Sequence, residues 1–152
     1  KDDRASVRGL NGRFGLGRID VVRGGADIAL IAMGSVAMEV MAAAETLAAV
    51  GVETTVAIVS GFSPDPAQDI ADLLARFRCA VSVEAQAISG GLGAFVSTVI
   101  ASHGLPCRLK VLAISSSPDG TCGSAPERLR RHGLDRESIA ENALAALRSV
   151  VA

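Results

Sequence analysis

The chain has 152 residues, enough for one domain with its own core. Hydrophobic residues make up 49%, mean hydropathy is +0.40 and net charge is −1. There are four Phe and no Trp or Tyr, so neither a basic surface nor stacking aromatics mark a nucleic-acid binder. The long apolar stretch from Asp27 to Gly51 is interrupted by Gly34, Glu39 and Glu45, which argues against a membrane span. The composition reads as a soluble, Ala/Val-rich domain.

Residues 1–18 are charged and Gly-rich and read as a linker or tail; residues 19–152 read as the folded domain. Two apolar runs around Gly24–Gly25 predict a hairpin. The second run, Ile28 to Met33, scarcely alternates, as expected of a strand buried on both faces. Ser35 is placed to cap a helix that runs to Val50 and stops at Gly51. A strand ETTVAIVS follows. Asp65 then fits an N-cap, Pro66 the first helical position and Gln68 a capping box.

CAVSVEA is a further buried strand, read as ending at Glu84. After a loop carrying Gln86 and Ser89, a helix is expected from Leu92 to about Ser102, stopped by Gly104. RLKVLAIS is the last strand. Ser124 and Glu127 form a capping box around Pro126, Gly133 stops that helix, and Asp135 caps the final one. Strands alternating with helices predict an α/β fold of three layers. Its sheet is mostly parallel with one antiparallel edge strand, and helices cover both faces.

In such sheets ligands sit beyond the carboxyl ends of the strands. That directs attention to three loops, Ser60–Asp65, Ala85–Gly91 and Ser115–Gly123. The GGLG of Gly90, Gly91 and Gly93 opens a helix, where backbone N–H groups attract anions. Yet GxGxxG is not met there or at Gly15, and no P-loop is present. The alternative is a tight turn with close helix–sheet packing. Glu84, near a strand end, is a candidate acid or base, or else an acceptor for loop N–H groups.

Cys122 precedes a helix start, and His103 and His132 fall near helix ends, but no positioned base is evident. Arg128, Arg130, Arg131 and Arg136 read as a solvated helix face. The odd set Cys79, Cys107 and Cys122 fits free thiols in a reducing compartment, hence a cytoplasmic protein. No metal-ligand spacing stands out. The chain starts at Lys1 rather than Met, as a piece of a larger protein would.

The ordered segments GRFGLGRIDVVRGGADIALIAMG, FSPDP, VSVEAQAISGGLGAFVSTVI and PDGTCGSAPERLRRHGLDRESIAENAL resemble the C-terminal domain of the transketolase family. That family includes transketolases (some split over two subunits), deoxyxylulose-phosphate synthases and the β subunits of 2-oxo acid dehydrogenase E1 components. The resemblance runs from about Gly12 to Leu147. It implies a thiamine-diphosphate- and Mg²⁺-dependent enzyme that moves a two-carbon ketol or acyl unit. The cofactor would be held by pyrophosphate- and pyrimidine-binding domains on other chains or on a missing part of this one. The whole would assemble as a dimer, with no nucleic acid and no membrane.

The family's GDG…N diphosphate motif is absent, since PDGT at Pro118 is not it, and the cofactor-activating Glu belongs to the pyrimidine domain. The resemblance therefore transfers no catalytic, cofactor or metal residue. It makes Glu84, Gln86, Gly90, Gly91 and Gly93 an active-site-border or interface loop. Gln86 stands where the family commonly has His. The Pro-Leu-Asp of the family becomes Pro64-Asp65-Pro66, and its Pro-Asp-x-aromatic lacks the aromatic at Thr121. Two other readings compete: a stand-alone α/β module holding a small anion at Gly90–Gly93, and a thiol enzyme built on Cys122.

Overall fold

A computed structural model describes residues 6–13, 15–115 and 123–151. Five strands form one sheet: β1 (Ile19–Arg23), β2 (Ile28–Met33), β3 (Thr54–Val59), β4 (Cys79–Ala87) and β5 (Arg108–Ile114). Five helices accompany them: α1 (Ala37–Ala49), α2 (Ala67–Leu74), α3 (Leu92–His103), α4 (Ala125–Arg131) and α5 (Arg136–Val151). The strand order is β1-β3-β2-β4-β5. β2, β3, β4 and β5 are parallel and β1 runs antiparallel.

The antiparallel edge strand is where the sequence leads one to expect it, but the hairpin is not. β1 pairs with β3, Ile19 opposite Val59 and Val21 opposite Ala57, while β2 lies on the other side of β3. The chain between β1 and β2 crosses the amino end of β3. Gly25 passes so close to Thr54 that a β-carbon would collide with its backbone. The Thr55 hydroxyl fastens this crossing, donating to Gly25 O at 2.7 Å and accepting from Gly25 N at 2.9 Å.

The period-2 alternation of the buried strands feeds two cores. Ile28, Leu30, Ala32, Val56, Ile58, Cys79, Val81 and Val83 pack against α1 and α5. Ala29, Ile31, Ala57, Val59 and Ala80 pack against α2 and α3. α1 meets the sheet through Ala37, Val40, Ala43, Ala44 and Leu47, and the three alanines permit a close approach. Its stop is as expected: Gly51 has φ +80° and Val52 N donates to Leu47 O at 3.0 Å.

Three local expectations are corrected. α1 is preceded by a 3₁₀ turn at Gly34–Val36, and no side chain, Ser35 included, caps it. α2 starts at Ala67. Asp65 accepts from Ala67 N at 2.7 Å, two residues on, as an Asx turn, and Gln68 donates to Asp72 rather than closing a box. β4 continues past Glu84 through Ala87, so Gln86 is on a strand rather than in a loop. The Ser124–Glu127 capping box and the Asp135 cap do form, the latter accepting from Ser138 N at 3.1 Å.

Candidate functional site

The connections out of β2 and β4 diverge. β2 leads into α1 on one face of the sheet, and β4 leads into α3 on the other. Adjacent parallel strands with such opposed exits leave a crevice at their carboxyl ends, where ligands and partners of open α/β sheets gather. Gly34 ends β2 at this point with φ +80°, and a β-carbon there would sit 4.0 Å from Gln86 Nε2. Gly34 is not among the site residues that the sequence singles out. A glycine directly after a buried strand is the available signal.

Glu84 lies next to this crevice, on the α3 side, and is only 1% exposed. Its carboxylate reaches the first turn of α3: Oε2 accepts from Leu92 N at 2.7 Å and Oε1 from Gly93 N at 2.9 Å. A carboxylate suits the positive end of a helix and satisfies two of its orphan donors. The glycines make this possible. A β-carbon on Gly91 would collide with the Glu84 carboxylate, and one on Gly93 with the Val111 side chain. Gly90 has φ +80° and supplies the reversal between β4 and α3.

The turn is thus a clamp closed from within the chain. A diphosphate brought to the same two N–H groups would meet a buried carboxylate already bonded to them, so these residues do not fit a phosphate. Among the described residues, no group of three or more His, Cys, Asp or Glu is gathered as a metal ion requires.

The other singled-out residues are dispersed. His103 ends α3 at the amino edge of the sheet, while His132 follows α4. A cavity of about 430 Å³ beside β4 and β5 has Arg128 and His132 on its wall with Ala85, Ile114 and Leu129. Cys122 and most of the Ser115–Gly123 loop lie outside the described residues. Cys79 and Cys107 are buried free thiols. Burial pushes the Cys107 thiol up to about 11, with the neighbouring Cys79 adding to the shift. Thiols held protonated in this way are poor nucleophiles.

Fold and turn together define a three-layer α/β domain with a mixed five-stranded sheet and a self-capped glycine turn at its switch point. The chain belongs to the transketolase C-terminal domain family, whose model ("Transketolase, C-terminal domain") matches residues 17–139. It is 38% identical over 128 residues to one of the subunits of an apulose-4-phosphate transketolase from Actinobacillus succinogenes, covering 84% of this chain and 41% of that one. A 1-deoxy-D-xylulose-5-phosphate synthase of Thermomicrobium roseum is 32% identical over 132 residues, covering 87% of this chain and 21% of the synthase.

Among solved structures, a split-gene transketolase described as an inactive beta4 tetramer superposes with a TM-score of 0.81 at 24% identity. The match covers 94% of this chain and 46% of that one, and bears on the fold. The chain thus spans less than half the length of these relatives. Among the described residues no helix is long and apolar enough to cross a membrane.

Proposed function

We propose that this chain is the C-terminal part of a transketolase-type enzyme that transfers a two-carbon ketol or acyl unit. Thiamine diphosphate and Mg²⁺ are bound by pyrophosphate- and pyrimidine-binding domains outside these 152 residues. The observation that carries this reading is the family match over residues 17–139, joined to a glycine turn whose anion-ready donors are already taken by Glu84. Residues 1–18 serve as the lead-in from a neighbouring domain. The enzyme is a multi-subunit assembly, at least dimeric, working in the cytoplasm.

In that assembly the crevice at Gly34 and Gln86 borders the active-site region. The Glu84–Gly93 clamp gives the loop its rigidity, and the exposed Met38 and Ile88 at the same sheet edge offer apolar contact area. Gln86 contributes an uncharged amide there. It can donate and accept hydrogen bonds but cannot carry a proton between groups near neutral pH. The 32% identity to a deoxyxylulose-phosphate synthase keeps one second reading in view, a synthase-like acyl transfer by the same domain arrangement.

The test is reconstitution. The chain is coexpressed with the polypeptides encoded beside it, and the purified assembly is assayed for two-carbon transfer between sugar phosphates with added thiamine diphosphate and Mg²⁺. Transfer that depends on this chain supports the reading. An assembly equally active without it removes it.

A further inference from the structure

The edge strand β5 carries two different faces and an open side. It is hydrogen-bonded to β4, and among the described residues no strand lies beyond it. Its pairing with β4 sets its faces: Arg108 and Lys110 stand opposite Cys79 and Val81, on the side covered by α5. Leu109 and Val111 point to the α3 side, where both are half-buried. Over Arg108–Val111 the edge is therefore cationic on one face and apolar on the other, with the strand period of two, while Leu112 and Ile114 further along the cationic face pack into the α1/α5 core.

On the cationic face the sheet and α5 close over Leu112 but not over Arg108 and Lys110. A cavity of about 250 Å³ lies between Arg108 and Lys110 on the strand and Asn142, Ala145 and Ser149 on α5. A second, of about 360 Å³, continues it past Arg108 and Ser149 to Arg78. Arg108 Nη1 donates to Ser149 O at 2.8 Å, which fixes its side chain across the join. Arg78 and Lys110 are exposed, and among the described residues neither meets a carboxylate.

We infer that β5 and this groove receive an extended acidic segment of a partner polypeptide, which joins the sheet as a sixth strand. Backbone pairing with the open edge supplies the register-independent part of the attraction. Alternation supplies the selectivity. Acidic residues at every second position fall beside Arg108 and Lys110, and the intervening apolar residues fall beside Leu109 and Val111. A second copy of this chain fits poorly in the registers that use the open end of β5, because antiparallel pairing centred on Leu109 or Lys110 sets Arg108 against Lys110 or Lys110 against Lys110. A lysine on an edge commonly only wards off such pairing. Here it comes with a groove and with a third cation, Arg78, aligned along it. The groove stands whether or not the chain serves two-carbon transfer.

The probe is a fluorescein-labelled peptide, Glu-Val-Glu-Val-Glu-Val-Glu, titrated into the full chain at low salt with anisotropy and ¹H–¹⁵N spectra as readouts. Saturable binding is expected, with amide shifts centred on Arg108–Val111, weakening steeply as salt rises. Lys110→Glu should weaken it at least tenfold and Lys110→Arg should not, with unchanged thermal unfolding of both variants confirming the fold. A peptide of the same composition in blocks, four Glu then three Val, should bind at least tenfold more weakly. Equal binding of the block peptide, shifts centred away from β5, or indifference to Lys110→Glu would overturn the inference. So would a chain already dimeric through β5 that the peptide cannot open.

Discussion

Gly91 has no room for a side chain because the Glu84 carboxylate fills the space where its β-carbon would stand. The same carboxylate holds the N–H groups of Leu92 and Gly93 at 2.7 and 2.9 Å. A buried acid thus completes the first turn of α3 from eight residues away, across the strand-to-helix loop. Bonds from a carboxylate to backbone N–H groups are worth roughly twice neutral ones. Removing one partner also leaves the other buried and unpaired.

Glu84→Gln therefore costs about 2–4 kcal/mol, because its amide NH₂ faces an N–H donor where an oxygen stood. Glu84→Ala, which abandons both donors and leaves a cavity, costs more. Urea unfolding with an unchanged m-value measures both. A loss under about 1 kcal/mol for Glu84→Ala contradicts the clamp.

Gly90 and Gly91 are not equivalent. Gly91→Ala forces the carboxylate out and costs about 3 kcal/mol, combining overpacking with lost hydrogen bonds. Gly90→Ala meets nothing within 4 Å and is strained only by its φ of +80°, at about 1–2 kcal/mol. The ranking, read from the same unfolding curves, is the prediction. A reversed order shows that backbone conformation rather than the carboxylate governs the turn.

Glu39 links two distant parts of the α1/α5 layer. Its Oε2 accepts from Arg136 N at 3.0 Å and Arg136 Nε at 3.4 Å, which satisfies a donor at the start of α5. The pair is partly exposed, so Glu39→Ala costs about 0.5–1 kcal/mol, the range of a surface cap or ion pair. Arg136→Ala keeps the backbone bond and costs less. Thermal unfolding of the two variants resolves the difference.

Cys107 gives the fold a pH limit. Its thiol, raised from the ordinary 9.0 to about 11 by burial and by Cys79, stays protonated in the folded chain after it has ionised in the unfolded one. The unfolded state therefore loses its proton first as pH rises. The contribution of this thiol to stability is full below about pH 9 and is lost as pH passes from 9 through 11. Cys107→Ala should flatten the alkaline limb of a stability–pH profile. At about pH 8, below the ordinary thiol range, mass spectrometry should find Cys79 and Cys107 unalkylated in the native chain and alkylated in guanidinium.

Local chemistry made much of this legible. Gly51, Gly104 and Gly133 stop helices where their positive φ is needed, and the Ser124–Glu127 box forms because both partners lie within one turn. The long-range pairings were not legible. The Gly24–Gly25 turn signal is real, but Thr55 and the backbone of β3 claim Gly25, so β1 and β2 flank a shared strand and do not pair. Asp65 forms an Asx turn to Ala67 N just ahead of α2, and Gln68 turns forward to Asp72, so the expected box does not close. The meeting of Gly34 with Gln86 depends on strand order, and the Glu39–Arg136 contact spans 97 positions. Glu84 was visible as an acceptor for loop N–H groups, but its competitor, an acid–base role, needed the geometry to be set aside.

Gln86 offers a test of whether the crevice touches chemistry. In the assembly proposed above, once reconstituted, Gln86→His introduces a group that titrates near neutral pH. An active-site border position predicts a changed pH profile of kcat with unaltered assembly. A purely packing position predicts an unchanged profile.

The glycine turn is closed by its own carboxylate, which already occupies the Leu92 and Gly93 N–H groups that a diphosphate would need. The most direct measurement is a ¹H–¹⁵N titration of the chain with thiamine diphosphate and Mg²⁺ to millimolar concentration, following the amides of Leu92 and Gly93. A turn closed by Glu84 predicts no saturable shift at either residue. Saturable shifts at both, lost on mutation of Gly90 or Gly91, would contradict it.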